Sequence, residues 1–173
     1  MLTLKVLNVE DGIKEYEAIK KIPKIENGFE NEDYDVSEEE FINEVIPKRI
    51  NNSQGIDLLE GRVPDSYFFL WDDDEIVGLF KIRHCLNDFL RDGPGHLGYC
   101  ILPEYRGKGY AKEGLKLAID ICNDLIEEDE IYLIVRKDNP ASLKVQTDNG
   151  AYIVSETDED YLTRIKLNKT KTR

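Results

Sequence analysis

Along this chain, apolar and polar positions recur with two periods, and the switches between them outline the fold. Leu2, Leu4 and Val6 alternate with Thr3 and Lys5, which predicts a first strand over 2–7. Asp11 stands where a helix cap would, and Ile13, Tyr16 and Ile19 at three-residue spacing predict a helix from Gly12 to about Lys21, ended by Pro23. Ser37-x-x-Glu40 has the form of a capping box, so a second helix should begin at Glu38 and turn Phe41, Ile42 and Val45 inward, with Pro47 bending or stopping it. The acidic stretch 26–40 between them holds an Asn27-Gly28 turn and otherwise reads as loop.

Two strand-like runs, 66–71 and 76–82, bracket Asp72-Asp73-Asp74-Glu75 and predict a hairpin. A compact apolar strand over 96–102 is stopped by Pro103. Ala111, Leu115, Ala118, Cys122 and Leu125 then recur at helical spacing. A β-branched strand, 131–135, precedes Asn139-Pro140, which reads as a helix cap followed by proline at the first helical position; Asn149-Gly150 closes that helix. Runs at 151–154 and 161–165 supply a closing strand pair. The order β-α-α-β-β-β-α-β-α-β-β predicts an α/β (α+β) mixed sheet with helices on both faces. It forms one domain over 1–168, and a basic tail, 169–173, is expected to fray.

The link between the strand at 96–102 and the helix after it is Arg106-Gly107-Lys108-Gly109-Tyr110. A glycine-rich strand-to-helix turn presents backbone N–H groups at the positive end of a helix, a cradle for phosphate. Neither common nucleotide pattern fits. Lys112 replaces the third glycine of G-x-G-x-x-G, and Gly109 follows Gly107-Lys108 where a P-loop needs Ser or Thr. Arg106-x-x-Gly109-x-Ala111 does resemble the [QR]-x-x-G-x-[GA] pyrophosphate turn of the GNAT N-acetyltransferase superfamily. The later Asn139-x-x-Ser142 helix and its closing glycine are similar to the second motif of that family, in order and spacing, over about 66–166. The strings Ile82-Arg83-His84 and Gly95-His96-Leu97-Gly98-Tyr99 resemble a poorly characterised bacterial branch of it.

The resemblance implies a largely antiparallel sheet splayed at its middle and acetyl-CoA as cosubstrate. The amides of Gly107, Lys108, Gly109, Tyr110 and Ala111 would hold the pyrophosphate, with charge from Arg106 and Lys108. Backbone groups of Cys100, Ile101 and Leu102 would pair with the pantetheine arm like an added strand, and an amide of Ile101 or Leu102 would receive the oxyanion. Asn139 and Ser142 would border the same arm, and the first helices with the acidic loop 26–40 between them would help wall the acceptor site and receive an amine. The implied activity is acetyl transfer to a primary amine by direct attack in a ternary complex. Where many relatives carry a Tyr that protonates the departing thiolate, this chain has Gln146, which does not titrate as an acid. Tyr99 is a candidate substitute. For the base, His96 and His84 are the only side chains that titrate unperturbed near neutrality. Ser142 lacks a nucleophile elbow.

Composition narrows the rest. The 173 residues are 40 % hydrophobic and 34 % charged, as for a soluble globular chain, and no apolar run is long enough for a membrane helix. Cys85, Cys100 and Cys122 form no C-x-x-C pair and read as reduced residues of a cytoplasmic protein; a metal site is not expected. The net charge of −13 argues against nucleic acid as a partner and suits a small-molecule or peptide amine, cationic acceptors included. A homodimer stays open. So do two other readings: a non-catalytic acyl-CoA-binding regulatory domain, and an unrelated phosphate-binding or interaction module.

Overall fold

The computed structural model describes residues 1–169, so all but the first residue of the expected basic tail lies outside it. Among the described residues, nine strands and six α-helices follow the expected order with short additions. β1 (Leu2–Val6), β4 (Asp65–Asp72), β5 (Glu75–Arg83) and β6 (Leu97–Ile101) form an antiparallel sheet in the order β1-β4-β5-β6. β7 (Glu130–Arg136), β8 (Tyr152–Glu156) and β9 (Asp160–Lys166) form a second, in the order β7-β9-β8.

The central strands β4 and β5 are buried along most of their length because both faces of the first sheet are covered. Tyr67, Phe69, Trp71 and Leu79 face one core, shared with α1 (Gly12–Lys20), a π-helical turn (Phe41–Val45) and α3 (Ile46–Ser53). Leu70, Phe80, Ile82 and Leu97 face the other, against Leu115, Ala118 and Cys122 of α5 (Tyr110–Leu125). Gly114 lets α5 approach: a Cβ there would lie 2.6 Å from the Phe80 ring. Among the described residues no helix is long and apolar enough to cross a membrane.

Two local expectations are corrected, and the choice left at Pro47 is resolved. Ile13 is 62 % exposed; the inward stripe of α1 is Gly12, Glu15, Ala18 and Ile19. The close approach of α3 sets this rotation, since a Cβ on Gly12 would stand 3.1 Å from the Ile46 side chain. Asp11 makes no capping bond and instead meets Asn8 and Lys5. Pro47 does not stop the second helix. Ser37 caps α2 (Glu38–Glu40) as expected, by accepting the Glu40 amide, and the chain then passes through the π-turn into α3. The widened turn lies directly ahead of Pro47, which has no amide hydrogen to donate. Two small elements are additions: the hairpin of β2 (Ile25–Glu26) and β3 (Phe29–Glu30), and α4 (Asp88–Arg91), capped by the Asn87 side chain. Asn27 and Gly28, at φ 51° and 82°, make the hairpin's turn with two left-handed residues in succession.

Candidate active site

The site begins where the two sheets separate. β6 pairs only with β5, and β7 only with β9, so the facing edges of β6 and β7 carry no ladder between them. They touch at one end, where the His96 amide donates to the Tyr132 carbonyl (2.8 Å) and the Tyr132 amide donates to His96 Nδ1 (2.8 Å). Beyond this point a cleft of about 350 Å³ opens along β6, lined there by Tyr99, Cys100 and Ile101.

At the mouth of this cleft is the glycine turn. Gly107 and Gly109 hold φ of 74° and 86°, the left-handed region that favours glycine. Gly109 is the N-cap of α5 and supplies no side-chain cap, so the first amides of the helix stay free of intrahelical partners. A Cβ at Gly107 or Gly109 would meet no described atom within 4 Å. That is room for an anion to reach the backbone, and the residues present fit a pyrophosphate.

Of the residues expected to bind the cofactor, Cys100, Ile101, Arg106, Gly107, Gly109, Tyr110, Ala111, Asn139 and Ser142 line the cleft. Two do not. Leu102 is buried, and its amide donates to the Val77 carbonyl (2.9 Å), which removes it as a donor to a ligand. By strand alternation the amides of Tyr99 and Ile101 then face the cleft. Lys108 is exposed and stands over the Tyr105 ring (5.5 Å). Arg106 folds inward: its Nε donates to the Ile101 carbonyl (3.0 Å), and its guanidinium pairs with Glu26. Cys100 is also a wall residue, and burial pushes its thiol up to about 12.

The third wall is α6 (Pro140–Asp148). Asn139 Oδ1 accepts the Ser142 amide (3.1 Å) as the helix cap, and both residues line the cleft. Tyr99 projects from β6, stacks on Phe80 (5.2 Å between centroids) and shares a hydrogen bond with Ser142 Oγ (3.0 Å). Burial raises its phenol above the ordinary value, against hydrogen bonds to Ser142 and Gln146 that lower it, so it is held protonated near neutrality. Gln146 is buried behind it and accepts from Thr163 Oγ1 (2.6 Å).

Neither histidine is brought into the cleft. His96 is fully buried, with Nε2 on Glu128 (2.8 Å) and Nδ1 on the Tyr132 amide. Burial lowers its pKa, against Glu128, which raises it. His84 shares a hydrogen bond with Ser66 Oγ (2.8 Å) at the end of β5, and burial lowers its pKa as well.

A further wall falls within the acidic stretch 26–40 and the residues just before it, where the sequence showed a loop and no strands. Ile22, Pro23, Glu26, Asn27 and Phe29 supply it, so the β2–β3 hairpin lies across the cleft. The Asn27-Gly28 turn was the one visible signal, but strands of two residues carry no period. Nor do the acidic residues after the hairpin form an open cation site. Glu32 is held by Lys81 (3.0 Å) and Arg62 (2.7 Å), and Asp33 accepts two bonds from Arg49. Burial alone would raise the Glu32 carboxyl, but Lys81, Arg62 and Arg49 outweigh it and bring it down to about 2.

Two antiparallel sheets parted between β6 and β7, with a bare helix N-terminus at the mouth of the gap, define an acyl-CoA N-acyltransferase fold. The comparisons agree. Residues 29–151 match the family model described as an acetyltransferase (GNAT) domain, and the chain belongs to that family of N-acetyltransferases. No curated protein sequence matches it significantly. Among solved structures, it is similar to spermidine N-acetyltransferase from Vibrio cholerae in complex with CoA and spermine. The TM-score is 0.64 at 19 % identity, over 97 % of this chain and 96 % of that one. It is also similar to a GNAT-family acetyltransferase from Streptococcus pneumoniae, with TM-score 0.63 at 14 % identity, over 96 % and 99 %.

Proposed function

We propose that the protein transfers the acetyl group of acetyl-CoA to a primary amine, by direct attack while both substrates are bound. One observation carries this reading. The free amides around Gly107 and Gly109 open onto the same cleft as the unpaired edge of β6 and the Tyr99 hydroxyl. The turn would hold the pyrophosphate, and the edge amides of Tyr99 and Ile101 would take the pantetheine arm as an added strand and meet the oxyanion. The amine nitrogen bonds to the thioester carbon, the C–S bond breaks, Tyr99 gives its proton to the departing thiolate, and the proton that the new amide nitrogen sheds returns through solvent to the Tyr99 oxygen. The ammonium proton is lost to solvent before attack, because both ring nitrogens of His96 are already bonded and His84 stands outside the cleft. A raised phenol pKa suits Tyr99 as an acid rather than a base.

The acceptor is a primary amine, and the bound spermine of the Vibrio protein makes polyamines the first to try. The test measures CoA release from acetyl-CoA with spermine, spermidine, amino acids and N-terminal peptides. Turnover with at least one of them is expected. Tight CoA binding without turnover on any amine would make the chain a regulatory acyl-CoA sensor, and failure to bind CoA would remove the cradle altogether.

A further inference from the structure

In a regular ladder the N–H and C=O of one residue face the same neighbouring strand. At His96 they face different ones: the amide donates to Tyr132 of β7, and the carbonyl accepts from Arg83 of β5 (2.7 Å). The backbone of the entering strand therefore swivels at this residue, and Tyr132 is left with an amide that no β6 carbonyl can reach. The imidazole takes it. Its Nδ1 stands where a strand carbonyl would and accepts the Tyr132 N–H at 2.8 Å. An accepting Nδ1 puts the ring hydrogen on Nε2, and Glu128 Oε2 receives it at 2.8 Å. Glu128 is itself fixed by the Leu86 amide (3.1 Å).

We propose that His96 is a positioning residue whose side chain substitutes for the missing strand carbonyl and so fixes the point at which the two sheets part. The proposal rests on the reading above for what the cleft does. Gly95 is the second half of the device. It holds φ of 69°, and a Cβ on it would lie 2.1 Å from the Tyr132 carbonyl oxygen, so only glycine admits β7 this close to the swivel. A buried amide left without an acceptor is destabilising by about 1–3 kcal/mol, which is sufficient to favour closing the gap or shifting β7 along β6. The imidazole removes that drive, and three residues further along β6 it sets where Tyr99 meets Ser142 of α6. His96 then acts through β6 and touches neither substrate.

Two variants separate this role from general base catalysis and from mere bulk. His96→Asn keeps an acceptor oxygen close to the Nδ1 position, while His96→Gln keeps the reach to Glu128 but withdraws the acceptor from the backbone. Amide hydrogen exchange at Tyr132, acetyl-CoA affinity and the pH profile of kcat are measured for both. Tyr132 should stay protected in His96→Asn and exchange about tenfold or more faster in His96→Gln, in keeping with one lost hydrogen bond. Acetyl-CoA affinity should follow the same order, with His96→Asn recovering most of it and retaining the shape of the wild-type pH profile. Equal protection of Tyr132 in both variants overturns the proposal, as does loss of the acidic limb of the profile in His96→Asn. If the wild-type protein binds no CoA, the functional reading falls, while exchange at Tyr132 still decides whether His96 holds the sheets apart.

Discussion

Gly109→Ala separates what the glycine turn does for folding from what it does for the ligand. The residue sits at φ 86° and ψ 0°, and no described atom lies within 4 Å of where a Cβ would be. The methyl group therefore meets no clash in the free protein. Its penalty is backbone strain alone, about 1–2 kcal/mol for a non-glycine residue in the left-handed region. That lowers Tm by about 2–4 °C per kcal/mol in a domain of this size. With CoA the situation differs, because the methyl group stands in the space through which phosphate oxygens reach the helix amides. Two charge-assisted hydrogen bonds at about 1.5 kcal/mol each amount to about 3 kcal/mol, or about a hundredfold in Kd. Gly61 supplies the control: it is exposed, holds φ of 79°, has equally open surroundings and does not line the cleft. Thermal melts should show similar losses for Gly109→Ala and Gly61→Ala. Calorimetric titration with CoA should show a hundredfold weakening for the first and no change for the second. Matching affinities for the two variants would refute the cradle.

Tyr99→Phe should leave acetyl-CoA affinity nearly unchanged and lower kcat by about a hundredfold, as for loss of a positioned acid; an unchanged kcat would assign thiolate protonation to solvent. Glu26→Gln should tighten CoA binding by up to about fivefold, because the Arg106 guanidinium would no longer be shared with a carboxylate; weaker binding would mean Glu26 supports the cleft rather than competes for it. Glu15 is fully buried on α1, and burial pushes its carboxyl up to about 8 from an ordinary 4.5, against the Asn8 amide, which lowers it. The folded state keeps the proton that the unfolded chain releases, so stability is full below about pH 4.5 and falls as pH rises through 8. Glu15→Gln should thus gain about 3 kcal/mol on the wild type between pH 5 and pH 7.5 in denaturant melts, and a constant difference across that range would contradict the burial argument.

The part of the fold that carries the cleft was legible because its signals are local. Pro103 stops a strand, two glycines follow, and the apolar stripe of α5 starts at once, so strand, turn and helix are specified within about twenty residues. The β4–β5 hairpin was legible for the same reason. What escaped depends on approach between distant segments. A helical count on α1 picks Ile13 over Glu15, yet the rotation is set by Gly12 against Ile46, a contact no local pattern contains. His96 was legible as a titratable residue at the right strand, but its partners Tyr132 and Glu128 lie more than thirty positions away. Sequence supplied the residue type and left its role to the register between two sheets.

The same distinction applies to charge. A net charge of −13 and an acidic stretch over 26–40 suggest a receptor for a cation, but the fold assigns several of those carboxylates internal partners. Glu26 lies on Arg106, Glu32 on Lys81 and Arg62, and Asp33 on Arg49. A carboxylate held to about 2 by buried cations has its field neutralised at short range and offers an ammonium little beyond what water does. Attraction of a cationic amine then falls to the exposed carboxylates acting together at a distance, where salt screens them. Such a field raises the encounter rate without fixing which nitrogen is presented. On the proposed function, selectivity among amines would fall to the shape of the cleft, which Phe29 and Tyr99 help to line, rather than to the acidic loop that dominates the sequence.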